Sequence, residues 1–388
     1  EGHGMRDVLI VGGGPAGAAA GREAAKRGLS AILFEKEVLP RVKPCGRGLS
    51  EAGIEELDEP LPEYLKLCEV SGLRLIYGNH ALEADAGRRI ATMISRAAFD
   101  HYLVRRAVDA GVALREGERA LRFEERDDRV RLHTDRGVYE GRLLVVAEGS
   151  QGKLARMVRG RDGKGRYGVA VVAEIPLSLD GLPGGHSRTR PEVYFDAMDG
   201  GYGWVFPQGD VCSAGVGSFT GHPPLPRRVF RTFLDRCRFP ADVPSRGHVI
   251  PVGGFGRVLR RGRVLLAGDA AGFVDPFSGE GISYALRSGR LAGEAVADAL
   301  NGGRPGEALR RYEKRCRREF EIPFRCSRIV SQLFYRFPGY FFRAFDRNDD
   351  LFQRFFRIPE HAVPYRAFLL WLLPRIPRYF LSALRPPR

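Results

Sequence analysis

The amino-terminal stretch constrains this chain most, because it reads as strand, glycine turn, helix, strand and acid. An apolar run at residues 8–11 leads into Gly12, Gly14 and Gly17, and a second apolar run at 31–34 ends in Glu35. This order is typical of a dinucleotide-binding βαβ unit. The glycines permit a tight turn, close approach of backbone N–H groups to a pyrophosphate, and close helix packing. Glu35 is placed to bind a ribose hydroxyl.

The composition is that of an ordinary globular chain in a reducing compartment. With 388 residues, 44% of them hydrophobic and 28% charged, the chain can hold two or three subdomains around a large core. Its six cysteines show no CxxC pair and no zinc-finger spacing. We therefore expect neither a disulfide framework nor a metal site, and we predict a cytoplasmic protein.

The net charge of +15 is carried mainly by arginine. One interpretation is a solvated surface. The other is an anionic partner, namely a lipid headgroup, a prenyl diphosphate or an acidic electron-donor protein. Nucleic acid is not expected as a partner, because the sequence shows no helix-turn-helix, RNA-binding signature or zinc finger.

Hydrophobic periodicity predicts an α/β chain. An amphipathic helix at 95–110 precedes strand-like segments at 112–115, 119–124, 129–134 and 137–140 and a buried strand at 143–147. Residues 166–220 alternate with period two, which is typical of an antiparallel sheet. A buried strand returns at 264–269, and a long helix with small residues on one face follows at 281–300.

The segment 264–283 is the second informative motif. A strand that ends at Gly268 and Asp269 places a carboxylate where it can accept hydrogen bonds from a polyol. The alternative is that Asp269 only caps a helix. Residues 276–281 then run into a helix whose N-terminal amides point at the same site. These amides suit a negative charge that develops on a ligand during its reduction.

Together these motifs resemble the flavoproteins built like p-hydroxybenzoate hydroxylase, and within them the geranylgeranyl reductase group. The likeness is carried by residues 11–17 (VGGGPAG), 44–50 (PCGRGLS), 148–149 (EG), 201–207 (GYGWVFP) and 267–281 (AGDAAGFVDPFSGEG). It covers about residues 5–320 and implies FAD as the cofactor. Two residues depart from the family pattern: Glu148 stands for the usual Asp, and Arg47 for a small or acidic residue.

The resemblance also implies a set of site residues. The implied cofactor-binding residues are Gly12, Gly14, Pro15, Ala16, Gly17, Glu35, Lys36, Cys45, Gly46, Arg96, Gly268, Asp269, Gly279, Gly281 and Ile282. The implied substrate-contacting residues are Tyr202, Trp204, Phe206 and Pro276, which would line an apolar cavity for a prenyl chain. Cys45, beside the flavin ring, is the candidate catalytic residue.

Several of these residues keep a second interpretation. Cys45 is either a packed thiol or a thiol activated by its basic neighbours. Tyr202, Trp204 and Phe206 share one strand face, which suits either a core stripe or a ligand wall. Arg96 is either a first-turn surface residue or a group that faces an anion.

The predicted fold class is α/β, with a Rossmann-like FAD-binding domain assembled from residues 1–60, 90–157 and 258–320. A mainly antiparallel substrate-binding sheet domain would comprise residues 61–89 and 158–257. Residues 321–388 would form a helical tail rich in aromatic residues and arginine. The tail's longest apolar run, 368–373, is far shorter than the ~20 residues of a membrane span. We expect peripheral contact with anionic lipid on the inner face of the membrane, or else a cap on the substrate cavity or a dimer interface.

The leading functional hypothesis is an FAD-dependent reductase that saturates isoprenoid C=C bonds on a prenylated lipid, quinone or chlorophyll-type side chain. The resemblance implies hydride transfer from reduced flavin N5 to one alkene carbon and protonation of the other, with Cys45 or a nearby water as proton source. Because no second nucleotide-binding motif is present, the donor would be NAD(P)H bound transiently or a reduced electron-carrier protein. Two alternatives stand beside it: an FAD-dependent aromatic monooxygenase or halogenase, and a non-redox prenyl-binding escort protein.

Overall fold

The computed structural model describes residues 4–160, 163, 166–176, 185–219, 226–253, 256–302, 305–359 and 361–384. Parts of the predicted substrate domain, at 161–162, 164–165, 177–184, 220–225 and 254–255, lie outside the described residues. The strands are β1 (Arg6–Val11), β2 (Ala31–Glu35), β3 (Gly48–Ser50), β4 (Lys66–Val70), β5 (Gly72–Tyr77), β6 (His80–Asp85), β7 (Ala91–Ile94), β8 (Ala113–Glu116), β9 (Ala120–Glu125), β10 (Val130–Thr134), β11 (Val138–Val146), β12 (Tyr167–Pro176), β13 (Glu192–Tyr194), β14 (Gly201–Gln208), β15 (Val211–Ser218), β16 (Ser245–Pro251), β17 (Arg260–Arg261) and β18 (Val264–Leu266). The helices are α1 (Pro15–Lys26), α2 (Glu51–Glu55), α3 (Arg96–Asp109), α4 (Lys153–Arg159), α5 (Pro226–Arg236), α6 (Ile282–Asn301), α7 (Pro305–Cys316), α8 (Ile322–Arg336), α9 (Pro338–Arg347), α10 (Asp349–Phe356), α11 (Tyr365–Leu372) and α12 (Ile376–Leu384).

The first sheet is built on the amino-terminal βαβ unit. Its strands run in the order β17-β18-β11-β1-β2-β8, and the β9–β10 hairpin extends from β11. The pairings of β1 with β11 and β2, of β2 with β8, and of β11 with β18 are parallel. Val8, Leu9 and Ile10 of the central strand β1 are fully buried, as expected for a parallel sheet covered on both faces. Helix α1 packs against α3 and α6.

Strand β11 differs from the sequence prediction. The two strands expected at 137–140 and 143–147 form one continuous strand, and the interruption at Gly141 is a change of partner. Before Gly141 the strand pairs antiparallel with β10, and after it the strand runs parallel between β1 and β18. A Cβ on Gly141 would lie 2.6 Å from Leu9 Cγ. This glycine permits close packing inside a strand, whereas the sequence analysis left residues 141–142 between two separate strands.

The second sheet is mainly antiparallel, as predicted, and runs β16-β12-β15-β14-β13-β5-β6. Helix α5 covers one face, where Phe230 and Phe233 pack with Val205 and Val216. The opposite face carries Trp204 in a separate cluster. Residues 61–89 were predicted to belong to the substrate-binding domain. Their strands β5 and β6 join this sheet, whereas β4 pairs with β7 in a small third sheet, β3-β7-β4. The domain boundaries stay predictions.

The carboxy-terminal region is helical, as predicted, and has its own apolar core. Helices α8–α12 bury the aromatic side chains of Phe334, Phe342, Phe345, Phe352, Phe355, Phe356, Phe368 and Tyr379. Leu75, Val193 and Phe195 of the second sheet belong to the same cluster. Much of the tail's aromatic content therefore lies inside the protein. Among the helices in the described ranges, none has both the length and the apolar character needed to cross a membrane.

Candidate active site

A cavity of about 950 Å³ lies between the first sheet, the second sheet and the helical tail. Its walls come from the start of α1, the segment 43–50, strand β14, the loop 274–281 before α6 and the segments 355–359 and 361–366 of the tail. These pieces are far apart in the sequence. Most of the predicted site residues line this one cavity.

The start of α1 depends on two glycines that leave no room for a side chain. Gly12 has a φ of +108°, and a Cβ there would lie 2.3 Å from Ala147 O. A Cβ on Gly17 would lie 1.9 Å from Gly12 O. Helix α1 begins at Pro15, with Gly14 as its N-cap and no capping side chain. Gly14, Pro15 and Ala16 line the cavity, so the first turn of the helix is presented to it.

Glu35 is buried beside the glycine turn. Its Oε2 accepts a hydrogen bond from the Gly13 N–H at 2.8 Å and lies 3.4 Å from Arg41 Nε. Its Oε1 accepts a hydrogen bond from the Glu37 N–H at 3.1 Å. Lys36 is exposed and lies 3.7 Å from a Glu37 carboxylate oxygen. Among the described residues that line the cavity, neither Glu35 nor Lys36 is present.

Arg96 is a buried cation at the cavity wall. It begins α3, is only 5% exposed, and donates from Nε and Nη2 to the two oxygens of Asp100, each at 3.0 Å. Arg41 Nη1 donates to the same carboxylate at 3.1 Å. Burial opposes the charge, but Asp100 and Cys45 raise the pKa of Arg96. The guanidinium therefore stays charged, and it is not a solvated surface group.

Asp269 lies one turn after β18 and lines the cavity together with His248 of β16. Gly268, which has a φ of +59°, donates from its N–H to Ser288 Oγ of α6 at 2.9 Å. Lys43 Nζ lies 3.9 Å from Asp269 Oδ2. Burial and the nearby Lys43 lower the pKa of His248 to about 4. The imidazole is therefore neutral at pH 7 and can act as donor and acceptor at this wall.

Glu280 ties three segments together at the start of α6. Its Oε1 accepts hydrogen bonds from Ser50 Oγ at 2.6 Å and from Ser283 Oγ at 2.7 Å, and its Oε2 lies 2.8 Å from His361 Nε2. Burial opposes both charges, but the pair lowers the pKa of Glu280 and raises the pKa of His361. The neighbouring residues Gly279, Gly281 and Ile282 line the cavity. The contact between His361 and Glu280 thus joins the tail to the loop that is predicted to face the cofactor.

The cysteine segment, residues 44–50, is fastened to the second sheet by Arg47. This residue has a φ of +69°, its Nη1 donates to Gln208 Oε1 at 3.1 Å, and its Nη2 pairs with Glu174. Gln208 Nε2 donates to Gly46 O at 3.2 Å. Cys45 Sγ accepts a hydrogen bond from the Arg47 N–H at 3.3 Å. The arginine that departs from the family pattern therefore positions the segment that carries Cys45.

Tyr202, Trp204 and Phe206 line the cavity from one face of β14. Their ring centroids are spaced 6.0 Å and 6.2 Å apart along the strand. Trp204 Nε1 donates to Ser213 Oγ at 3.1 Å, and the Tyr202 hydroxyl donates to Ser278 O. The polar ends of the rings are thus bonded within the protein, and the cavity meets their apolar surface.

Comparison with known proteins identifies the family. Residues 5–175 and 255–321 match the FAD binding domain family. Geranylgeranyl diphosphate reductase, chloroplastic, of Oryza sativa subsp. japonica is 32% identical over 356 residues, or 85% of this chain and 75% of the relative. Digeranylgeranylglycerophospholipid reductase of Methanothrix thermoacetophila is 31% identical over 341 residues, or 80% of this chain and 83% of the relative. The chain belongs to the geranylgeranyl reductase family of FAD-dependent oxidoreductases.

The fold agrees with that membership. A geranylgeranyl bacteriochlorophyll reductase-like protein of Thermoplasma acidophilum superimposes with a TM-score of 0.77 over 97% of this chain and 98% of that one, at 22% identity. The predicted family and fold class are therefore confirmed, and this family member is an FAD-dependent oxidoreductase.

The residues at the cavity fit FAD. The first turn of α1 faces the cavity without a capping side chain, and a Cβ on Gly14 would meet nothing closer than Arg41 Nη2 at 3.7 Å. An anion can therefore approach the N–H groups of this turn closely. Arg96 supplies a fixed positive charge nearby, and the Asp269 carboxylate supplies an acceptor for hydroxyl groups. This donor set suits a diphosphate joined to a polyol.

The sequence analysis did not predict all of the residues that line the cavity. Of the loop 274–281, Asp275, Phe277 and Ser278 line the cavity, whereas Pro276 is buried without being among its described lining residues. Asp275 belongs to the motif at residues 267–281 and directly precedes Pro276, which was predicted to contact the substrate. This position was the signal that could have identified Asp275 as a lining residue. His248 and the tail residues carried no local signal, because only packing brings them to the site.

Proposed function

We propose that this protein saturates isoprenoid C=C bonds of a prenylated lipid, quinone or chlorophyll-type side chain. The observation that carries the proposal is the composition of one cavity. The same cavity is lined by the start of α1, Arg96 and Asp269, and by the aromatic face of β14 and the apolar residues of α10. A flavin held by the first set would lie against a wall that suits a long apolar chain.

At the cofactor end, the proposal assigns the pyrophosphate to the turn of Gly12, Gly14, Pro15, Ala16 and Gly17. Reduced FAD supplies hydride when bound. Arg96 contributes buried positive charge, and Asp269 accepts hydrogen bonds from the ribityl chain. The amides around Gly279, Gly281 and Ile282 stabilise negative charge at the start of α6. Glu35, whose two oxygens each accept one backbone N–H, is assigned to the ribose hydroxyl as a prediction, and Lys36 stays a prediction as well.

At the substrate end, the proposal assigns the prenyl chain to the wall of Tyr202, Trp204 and Phe206. Phe355 and Phe356 of the tail face the same space and are almost completely buried. A wall of rings without unbonded polar atoms excludes water from the reacting double bond. Cys45 also lines the cavity and is the sequence-based candidate for catalysis.

The electron donor is proposed to be NAD(P)H or a reduced electron-carrier protein. The net charge of +15 favours an acidic carrier, because association between opposite charges is faster than between neutral surfaces. The salt dependence of flavin reduction distinguishes the two donors, since a protein carrier is far more sensitive to ionic strength.

Peripheral contact with a membrane is proposed for α11, α12 and the short turn 373–375 between them. Leu370, Leu373, Phe380 and Leu381 are 50–63% exposed, although most aromatic residues of the tail are buried. Arg375 and Arg378 are interleaved with them. Exposed apolar side chains among cations suit the interface of an anionic bilayer.

The reductase proposal is tested by reducing the flavin anaerobically and adding geranylgeranyl diphosphate or a geranylgeranyl lipid. We expect reoxidation of the flavin and a product two mass units heavier for each saturated bond. The monooxygenase or halogenase alternative predicts instead that a phenolic substrate stimulates NAD(P)H-driven oxygen uptake. No reoxidation with any prenyl compound would refute the reductase.

Membrane contact is tested by sedimentation with vesicles that contain phosphatidylglycerol. Replacing Leu373 and Phe380 with serine is expected to reduce the bound fraction, while flavin content stays unchanged. The matched control is Leu121→Ser, an exposed leucine on β9. Equal binding by the two variants would contradict the proposal.

A further inference from the structure

The cavity of the candidate active site meets solvent on the side of the helical tail. Among the described residues that line it, those that are exposed all follow α7 in the sequence: Arg318, Ile322, His361, Pro364 and Arg366. We call these residues the mouth of the cavity. His361 Nε2 is already bonded to Glu280 Oε2, at 2.8 Å. The two arginines are the other basic groups of the mouth.

Arg318 is an unpaired cation in a turn of paired charges. It lies in the π-helical turn Arg317–Glu321 between α7 and α8, a kind of turn that is frequent at functional sites. The other charged residues of the turn each have a partner: Arg317 bonds to Glu313 at 2.8 Å, Glu319 to Arg287 at 2.9 Å, and Glu321 to Arg325 at 2.6 Å. Within the described ranges, Arg318 forms neither a hydrogen bond nor an ion pair. Its guanidinium is therefore available to a ligand.

Arg366 is the second unpaired cation of the mouth. Its neighbour Tyr365 donates to Asp275 Oδ1 at 3.0 Å, which holds the start of α11 against the loop before α6. Burial raises the pKa of Cys326 of α8, and the charge of Arg366 opposes this shift. Arg366 thus lies near the face of α8 that Cys326 shares with Ile322, four residues earlier. In the described part of the chain, Arg366 has no hydrogen bond and no ion pair.

The acids beside the mouth do not neutralise these two arginines. Glu319 accepts hydrogen bonds from Arg287 Nε and Arg315 Nε, each at 2.9 Å. Glu56 lies 3.5 Å from Arg290 Nη1 and 3.8 Å from Arg287 Nε. Both carboxylates are therefore matched by arginines of α6 and α7, and the mouth keeps an excess of positive charge.

The mouth is close to the residues predicted to face the cofactor. Arg287 bonds to Glu319, the neighbour of Arg318, and follows Ile282 along α6 by a rise of roughly 7.5 Å. Tyr284 lies between them on α6 and also lines the cavity. A molecule held at the mouth can therefore extend past α6 to the cofactor end within one continuous cavity.

The cavity has a different character under the second and third sheets. The described lining residues that β4, β5, β7 and β13 contribute are all apolar: Val70, Leu73, Leu75, Ala91, Met93 and Val193. Positive charge at the mouth and an apolar wall inside give the cavity a direction. A long ligand with one anionic end fits with its chain inside and its charge at the mouth.

We propose that Arg318 and Arg366 bind the phosphate-ester headgroup of the prenylated substrate at the mouth of the cavity. This inference rests on the proposed function and narrows its substrate class to prenyl chains that end in a phosphate. The planar guanidinium donates two parallel hydrogen bonds to phosphate oxygens. The phosphate belongs either to an isoprenoid diphosphate or to the headgroup of a prenylated phospholipid.

The main test compares wild-type holoenzyme with Arg318→Gln and Arg366→Gln in anaerobic reoxidation of the reduced flavin. The substrates are geranylgeranyl diphosphate, digeranylgeranylglyceryl phosphate in detergent micelles, and geranylgeraniol, which has no phosphate. We expect each variant to raise the half-saturating concentration of a phosphate substrate about 10-fold. The rate at saturation should not change, because the lost contact binds the substrate without touching the reacting bond. Reoxidation by geranylgeraniol should be the same in all variants.

The matched control is Arg231→Gln, which removes an exposed arginine of α5 that is not among the described lining residues. It should behave as wild type with all three substrates. Arg318→Lys and Arg366→Lys keep the charge but lose the planar fork, so they should recover part of the affinity. Because neither arginine has a partner in the described ranges, flavin content should be unchanged in every variant.

A second readout does not depend on turnover. Oxidised holoenzyme is titrated calorimetrically with geranylgeranyl diphosphate and with digeranylgeranylglyceryl phosphate. We expect wild type to bind at least one of them about 10-fold more tightly than either glutamine variant. Added salt should weaken binding to wild type more than binding to the double variant, since it screens the exposed charges.

The outcomes separate the headgroup site from the reductase. Wild-type affinity of the glutamine variants for both phosphate substrates, or an equal loss with geranylgeraniol, overturns the headgroup site while the reductase stands. A loss with the diphosphate alone, or with the glyceryl phosphate alone, supports the site and identifies the source of the phosphate. Failure of wild type to reoxidise with any prenyl compound refutes the reductase, and the calorimetric titration then still decides whether the two arginines bind the headgroup.

Discussion

The contact between α1 and α6 should link protein stability directly to cofactor binding. A Cβ on Gly289 of α6 would lie 2.2 Å from Ala16 O, whereas ordinary contacts begin near 3.4 Å. In Gly289→Ala, α6 must therefore retreat by roughly 1 Å, because close-packed interiors do not absorb such an overlap locally. We expect the free energy of unfolding to fall by about 1–3 kcal/mol. Ala16 also lines the cavity, so the affinity for FAD should fall as well.

The matched control for this change is Gly306→Ala in α7. A Cβ there would meet only the end of the Arg310 side chain at 3.8 Å, so the helix gains propensity of up to about 1 kcal/mol without an overlap. The assays are urea unfolding of the apoprotein and fluorescence titration with FAD. The reasoning is refuted if Gly289→Ala matches Gly306→Ala in both midpoint and FAD affinity.

Two further substitutions test the electrostatics of the site. Arg96→Gln leaves the buried Asp100 to Arg41 alone, so urea unfolding should show a loss of about 3 kcal/mol and gel filtration should show lost FAD. Unchanged stability would contradict the ion-pair argument. His361→Gln should destabilise most between about pH 4.5 and 6.5, since the raised pKa of His361 and the lowered pKa of Glu280 keep that pair ionised there. The contribution should be lost as pH rises through the folded-state pKa of His361, and an equal difference between variant and wild type at pH 5.5 and pH 9 would contradict it.

Sequence reasoning succeeded where the signal is local. The glycine turn, the parallel strands around it and the alternating pattern of β14 follow from spacing within one element, and each is present in the structure. It failed at residues 141–142, which it left between two strands, because the change of partner within β11 depends on the neighbouring strands β10 and β1. It also missed His248, which reaches the cavity only because β16 pairs with β12.

The helical tail also shows what the sequence could not predict. Its aromatic residues and arginines were expected either at a lipid surface or as a cap on the substrate cavity or a dimer interface. In the structure, most of the aromatic rings form a core with the second sheet, and several line the cavity. Composition indicates that a segment must bury apolar area, but it does not identify the surface against which that area is buried. The choice between lipid, cavity wall and core depends on the shape of the surface that the rest of the chain presents.

By itself, the sequence determined the family, the cofactor and the order of the elements. These depend on short motifs whose physical requirements, such as the close approach of Gly17 to Gly12 O, are satisfied within one βαβ unit. Only the tertiary structure decided which groups meet in the cavity. The Glu280–His361 pair spans 81 positions, and the Asp275–Tyr365 bond spans 90. Such contacts, and the burial that sets the charge of each group, arise only when distant segments pack together.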